Sequence, residues 1–282
     1  MGGFFGFFDY SKPGPGVDKD EPPKARFYTF IDIYMRKFRG LIKLNLLFSL
    51  FNIPAIVISF IVVQVFLFPH RISEYELLEG AIRIMVQALL LLIPVITFGP
   101  AQAGFTFVLR NYSREDHAFV WSDFKEHAFK NLKQSLVISL IDILVTAFVG
   151  FLLNFYLSTA NGNVLYKVIG GLILLGFVIF LMMHIFIYPL LVTFKLRVRD
   201  IYKNAFIFTV LSFKANIGII LICLIFIVLA FYSPYIGILL LLLLLFSTVG
   251  LITNFHAYPL LKKYMIEKAE EQQNAPESID GK

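Results

Sequence analysis

Six long apolar stretches alternate along this chain with segments that are either rich or poor in Lys and Arg. The stretches fall near 44–68, 84–108, 135–158, 166–192, 213–232 and 235–259. Each approaches or exceeds the ~20 residues a helix needs to cross about 30 Å of hydrocarbon. Of the 25 Lys and Arg residues, all but Arg71, Arg83 and Lys167 sit in or at the edge of the segments before the first, third and fifth stretches, or after the sixth. Positive charge resists translocation, so such segments stay cytoplasmic. The pattern predicts an all-α membrane protein of six transmembrane helices, arranged as three hairpins, with both the N and C termini cytoplasmic.

The chain is 58% hydrophobic and 16% charged, against about 45–50% and about 25% for a soluble domain. Its net charge of +6 belongs to the cytoplasmic segments. Attraction to anionic headgroups accounts for that charge without nucleic acid. No cleavable signal peptide is expected, because the first long apolar stretch starts more than 40 residues in and exceeds an h-region. The single cysteine, Cys223, lies inside the fifth stretch and forms no intrachain disulfide.

Residues 1–23 read as a flexible cytoplasmic segment, broken by Lys12-Pro13-Gly14-Pro15-Gly16 and Glu21-Pro22-Pro23. A membrane domain over 24–261 and a cytoplasmic tail over 262–282 follow. The segments preceding the odd stretches carry amphipathic patterns. Phe27, Phe30, Tyr34 and Phe38 recur at helical steps in the first, and Trp121 and Phe124 in the second. These six rings are candidate anchors of helices lying flat in the interface; packing against the bundle is the other reading. The segments resemble one another: Asp32-Ile33-Tyr34, Asp123-Phe124-Lys125 and Asp200-Ile201-Tyr202 each open a similar run. The even stretches share proline near their ends, in Gly99-Pro100, Tyr188-Pro189 and Tyr258-Pro259. Three two-helix repeats starting near 24, 115 and 197 would account for both features. Pro94, Pro100, Pro189 and Pro259 are the expected kink positions, tolerated where neighbours satisfy the carbonyls they free.

Asp142 is the sharpest polar residue. It falls inside the third stretch, where an ionised carboxylate costs at least a few kcal/mol. It is either a proton or cation site, or the structural partner of a cationic or amide group. His184 and His256 lie in even stretches near the cytoplasmic third. With Asp142 they could form a proton relay, or simply bond helix to helix. Gln102 and Asn154 complete the candidate intramembrane polar set. No ligand spacing on any one helix points to a metal, and none is expected. No cofactor motif occurs either. Gly-x-Ser-x-Gly, Walker, His-Glu-x-x-His and Cys-x-x-Cys patterns are all missing from the sequence, so the chain is expected not to be an enzyme.

Ile93-Pro94-Val95-Ile96-Thr97-Phe98-Gly99-Pro100-Ala101, continuing through Leu109-Arg110, Trp121-Ser122-Asp123-Phe124 and Asn131-Leu132-Lys133-Gln134-Ser135, resembles the core signature of the YesL family. Asp9-Tyr10-Ser11-Lys12-Pro13-Gly14-Pro15-Gly16-Val17 resembles the opening of one branch of it. The resemblance implies a multi-pass protein of the bacterial plasma membrane, of unknown activity, encoded among sugar-uptake genes. It brings no catalytic residues with it. An accessory role beside a sugar ABC importer or sensor is the functional expectation. A small transporter or channel, with a polar path between the hairpins, is the alternative.

Overall fold

The computed structural model describes residues 25–67, 98–158, 163–231, 234–268 and 271. The segment 1–23, most of the second apolar stretch with Pro94, and the end of the tail lie outside the described residues. Among those described, every regular element is a helix. They are α1 (Arg26–Leu67), α2 (98–113), α3 (Val120–Lys130), α4 (Leu132–Ser158), α5 (Val164–Thr193), α6 (Val198–Leu211), α7 (Phe213–Phe231), α8 (Pro234–Leu240) and α9 (Phe246–Leu261). A π-helical turn, Leu241–Leu245, joins α8 to α9, and a second, Lys262–Ile266, follows α9.

Three helical stretches are long and apolar enough to cross a membrane: Leu132–Leu153, Val164–Thr193 and Gly237–Ile266. The pair Val198–Leu211 and Phe213–Leu229, bent by 94°, makes a fourth if taken as one span. The first two expected spans run into residues outside the described set. The spanning helices show large apolar side chains outward, such as Leu144 (60% exposed), Phe151 (67%) and Leu172 (62%). Apolar surface on that scale is stable against lipid and not against water.

Short amphipathic helices precede two of the apolar ones. α3 hands over to α4 at Asn131, whose side-chain amide donates to the carbonyl of His127. α6 hands over to α7 at Ser212, and Asn216 reaches back across that bend to the carbonyl of Thr209. The first segment differs. The stretch expected to lie flat and the span after it are one unbroken 42-residue helix, α1. Gly40 lies within it, and Tyr112 of α2 packs against the glycine where a Cβ would otherwise sit.

Two buried clusters build the interior. One joins α5 and α6, with Phe186, Leu190, Ile201 and Phe208. The other joins α1, α2 and α3, with Leu41, Phe105, Leu109 and Phe124. α9 belongs to both, giving Ala257 and Leu261 to the first and Leu251 to the second. α1 runs antiparallel to this last helix. Tyr34 bonds Thr248 at 3.0 Å, and deeper along both helices Asn45 donates to the carbonyls of Leu241 and Leu242 (2.8 and 2.7 Å) and accepts from the amide of Ser247 (2.9 Å). Asn45 thereby satisfies backbone groups displaced by the first π turn, which hydrocarbon could not.

Candidate functional site

Helix register alone brings Asp142 to His184. Asp142 is ten residues into α4, and His184 lies nine before the end of α5, so the two sit at about 15 and 14 Å along antiparallel helices. Gln134 pins the ends together by donating to the carbonyl of Leu196 at 2.7 Å. The result is a contact of 3.0 Å between His184 Nε2 and Asp142 Oδ1. Tyr202, on α6, donates to the same oxygen at 3.2 Å. One turn nearer the Lys- and Arg-rich end, Ser139 and Tyr188 extend this polar seam, each 3% exposed.

The other ring nitrogen fixes the chemistry. His184 Nδ1 lies 3.0 Å from the carbonyl of Phe180. A carbonyl only accepts, so Nδ1 carries hydrogen. Nε2 then faces a carboxyl oxygen, and without a proton between them two lone pairs would oppose each other. The pair holds that proton as imidazolium and carboxylate or as imidazole and carboxylic acid. Either way it is neutral overall, which is how an acid survives within a span.

A cavity of about 400 Å³ opens among α1, α2, α5, α7 and α9. Gln102 and His184 are on its wall, surrounded mainly by apolar side chains such as Phe48, Phe105, Ile220 and Val249. Asp142 is not on that wall. His256 stands apart from the set: its Nε2 lies 2.8 Å from Asn216 Oδ1. The side chain of Asn154 lies outside the described residues. So the structure joins Asp142 to His184 and sets Gln102 beside the same histidine's cavity. It also adds Tyr202, which sequence reasoning missed. Its signal was the recurring Asp-Ile-Tyr: Tyr34, at the matching place of the first segment, also reaches a polar group in another helix. Among the described residues no group of three or more His, Cys, Asp or Glu side chains could hold a metal ion.

Residues 41–156 match a family described as a protein of unknown function, DUF624. No curated protein and no solved structure matches the chain. The DUF624 stretch carries Asn45, Gln102 and Asp142, whereas His184 and Tyr202 lie beyond it. It also contains two close approaches of helix backbones. A Cβ on Gly99 would overlap the carbonyl of Ser135, and one on Gly104 the carbonyl of Phe124. The approach at Gly104 changes the reading of Phe124. Expected as an interfacial ring, it is 1% exposed and packs under Phe51. Phe27 (69%), Trp121 (58%) and Phe38 (36%) are exposed, while Phe30 and Tyr34 are half-buried against α9.

The prolines are absorbed within helices. Pro100 lies in α2, Pro189 in α5 and Pro259 in α9. Pro259 has no N–H to offer the carbonyl four residues earlier. That carbonyl, on Phe255, accepts from Arg26 Nη2 at 3.1 Å. Within the DUF624 stretch, Arg110 ties α2 to the end of α5 through the carbonyl of Val192 at 2.9 Å, where a cation also suits the helix dipole. Burial, with Arg114 beside it, lowers the Arg110 guanidinium to about 10, so it remains charged near neutral pH. His127 stacks on Phe107. Burial, then the charge of Lys130, holds this imidazole below its usual value.

Proposed function

We propose that this chain is a YesL-type, multi-pass protein of the bacterial plasma membrane, crossing six times with both termini in the cytoplasm. It acts as an accessory to a carbohydrate uptake or sensing system, through contacts rather than chemistry. One observation carries this reading: the intramembrane acid is paired to His184 and Tyr202 and stands off the cavity wall, which is mainly apolar. Among the described residues, the polar groups Asn45, Asp142 and Tyr202 tie helices to one another. Exposed rings on α1 and α3, Phe27, Trp121 and Phe129 among them, supply a surface for lipid headgroups and partner helices. Mild-detergent purification from native membranes tests the reading. An importer or sensor subunit should accompany the chain, and a chain that always emerges alone and monomeric would overturn it.

The transporter reading keeps one observation in its favour, His184 and Gln102 on the wall of the 400 Å³ cavity. Solute flux in proteoliposomes that is lost with Gln102→Leu would establish it over the accessory role.

A further inference from the structure

A groove of about 400 Å³ runs between the start of α1, the middle of α7 and the end of α9. Its α7 wall is Ile219, Ile222 and Phe226; its α1 wall includes Phe27 and Ile31. Several of these side chains are open on the outer face: Phe27 is 69% exposed, Ile222 44% and Phe226 40%. At one end stands Arg26. Its guanidinium lies 5.3 Å from the ring centre of Phe255 and bonds the carbonyl that Pro259 leaves free. The cation is thus held by the fold rather than swinging on its tether. A guanidinium has five N–H donors, and one is used in that bond. Among the described residues, none that lines the groove is acidic.

The geometry points to a binding site for one anionic phospholipid, its phosphate on Arg26 and an acyl chain along Ile222 and Phe226. The apolar walls favour a lipid over free phosphate, which would leave them bare. The charge favours an anionic headgroup over a neutral one. The site sits where α1 begins and α9 nears Lys262 and Lys263, at the Lys- and Arg-rich end where headgroups lie. His256 shares this end of the groove, but its Nε2 is engaged by Asn216, which leaves Arg26 as the phosphate ligand.

Native mass spectrometry of the full chain, titrated with phosphatidylglycerol and separately with phosphatidylcholine, tests the site. The wild-type chain should prefer phosphatidylglycerol. Arg26→Gln should weaken that lipid about five-fold, the effect of one cation at an anionic headgroup, and leave phosphatidylcholine unchanged. Arg26→Lys should retain the preference. Arg39→Gln, on the same helix but outside the groove, should not alter it. Ile222→Trp, which fills the groove and spares the cation, should lower phosphatidylglycerol binding as Arg26→Gln does. Equal losses from Arg26→Gln and Arg39→Gln would mean diffuse attraction and overturn the site. So would full binding by Ile222→Trp, or a preference that appears only after residues 1–24 are deleted, which would make that segment the occupant. The outcome does not depend on whether any protein partner co-purifies.

Discussion

Replacing both members of the Asp142–His184 pair should harm the fold less than replacing either. Asp142→Leu leaves His184 Nε2 and the Tyr202 hydroxyl without their shared acceptor at 3.0 and 3.2 Å. An orphaned polar group costs about 1–3 kcal/mol, and interhelical bonds in membranes average about 0.6 kcal/mol. The side chains of His184 and Asp142 are 29% and 21% exposed, which places the loss near the middle of that range, at about 2 kcal/mol. His184→Leu leaves the acid with only the tyrosine, and it must either ionise in a low dielectric or stay protonated. That again costs about 2 kcal/mol. The double variant leaves only the Tyr202 hydroxyl wanting a partner, so its cost falls to about 1 kcal/mol. The coupling is then near 3 kcal/mol. Reversible unfolding in mixed micelles, followed by circular dichroism against the fraction of denaturing detergent, measures all four corners of this cycle. A coupling under about 0.5 kcal/mol, the range in which distant sites simply add, would refute the pairing and the shared proton.

The close approach at Gly104 predicts that Gly104→Ala, forcing a methyl against the carbonyl of Phe124, costs at least 1–3 kcal/mol; a thermal midpoint equal to wild type would show that α2 and α3 stand further apart. Asn45→Leu strips two hydrogen bonds from the Leu241–Leu245 turn and one from Ser247 just after it and should cost about 3 kcal/mol, with faster amide exchange at Ser247 as its local sign; protection that stays unchanged there would contradict the role given to Asn45. His127 supplies a pH signature. Its folded value lies below the unfolded 6.5, so the unfolded chain takes up a proton first. The stability this histidine contributes is present above 6.5 and is lost as pH falls through the folded value. Unfolding midpoints between pH 7.5 and 5 should fall for wild type and less for His127→Phe; parallel curves would remove His127 as the cause.

What was legible in the sequence was whatever a helix announces locally. The apolar runs around Leu132–Leu153 and Val164–Thr193 become long helices because they are continuously apolar, and the one proline in them, Pro189, falls near the end of the second. The breaks at Asn131 and Ser212 fall on short polar side chains that favour helix ends, although the sequence pattern alone did not single them out. Asp142 and His184 stood out singly, because a titratable group inside an apolar run is costly. Their meeting was not legible, since it depends on where α4 starts and α5 stops. The π turn at Leu241–Leu245 was least legible of all. Five identical leucines carry no local mark, and the residue that makes the turn tolerable, Asn45, lies 196 residues earlier. The amphipathic pattern of 24–43 gave the right period for a helix but no sign that α1 would continue through Gly40. Nor did it show that Tyr112, on another helix, would pack against that glycine.

The bond from Arg26 to the carbonyl freed by Pro259 also bears on biogenesis. Donor and acceptor are 229 residues apart. At roughly 5–20 residues per second of synthesis, Arg26 and Asn45 wait on the order of 10 to 45 s before the ribosome delivers their partners. Throughout that interval the first helix is in place with its amide and its cation unanswered, and only the last helix can close the ring. A nascent chain arrested before residue 241 should therefore be a client for whatever shelters polar groups in the bilayer. A truncation at the C-terminal end would injure the beginning of the protein as much as its end.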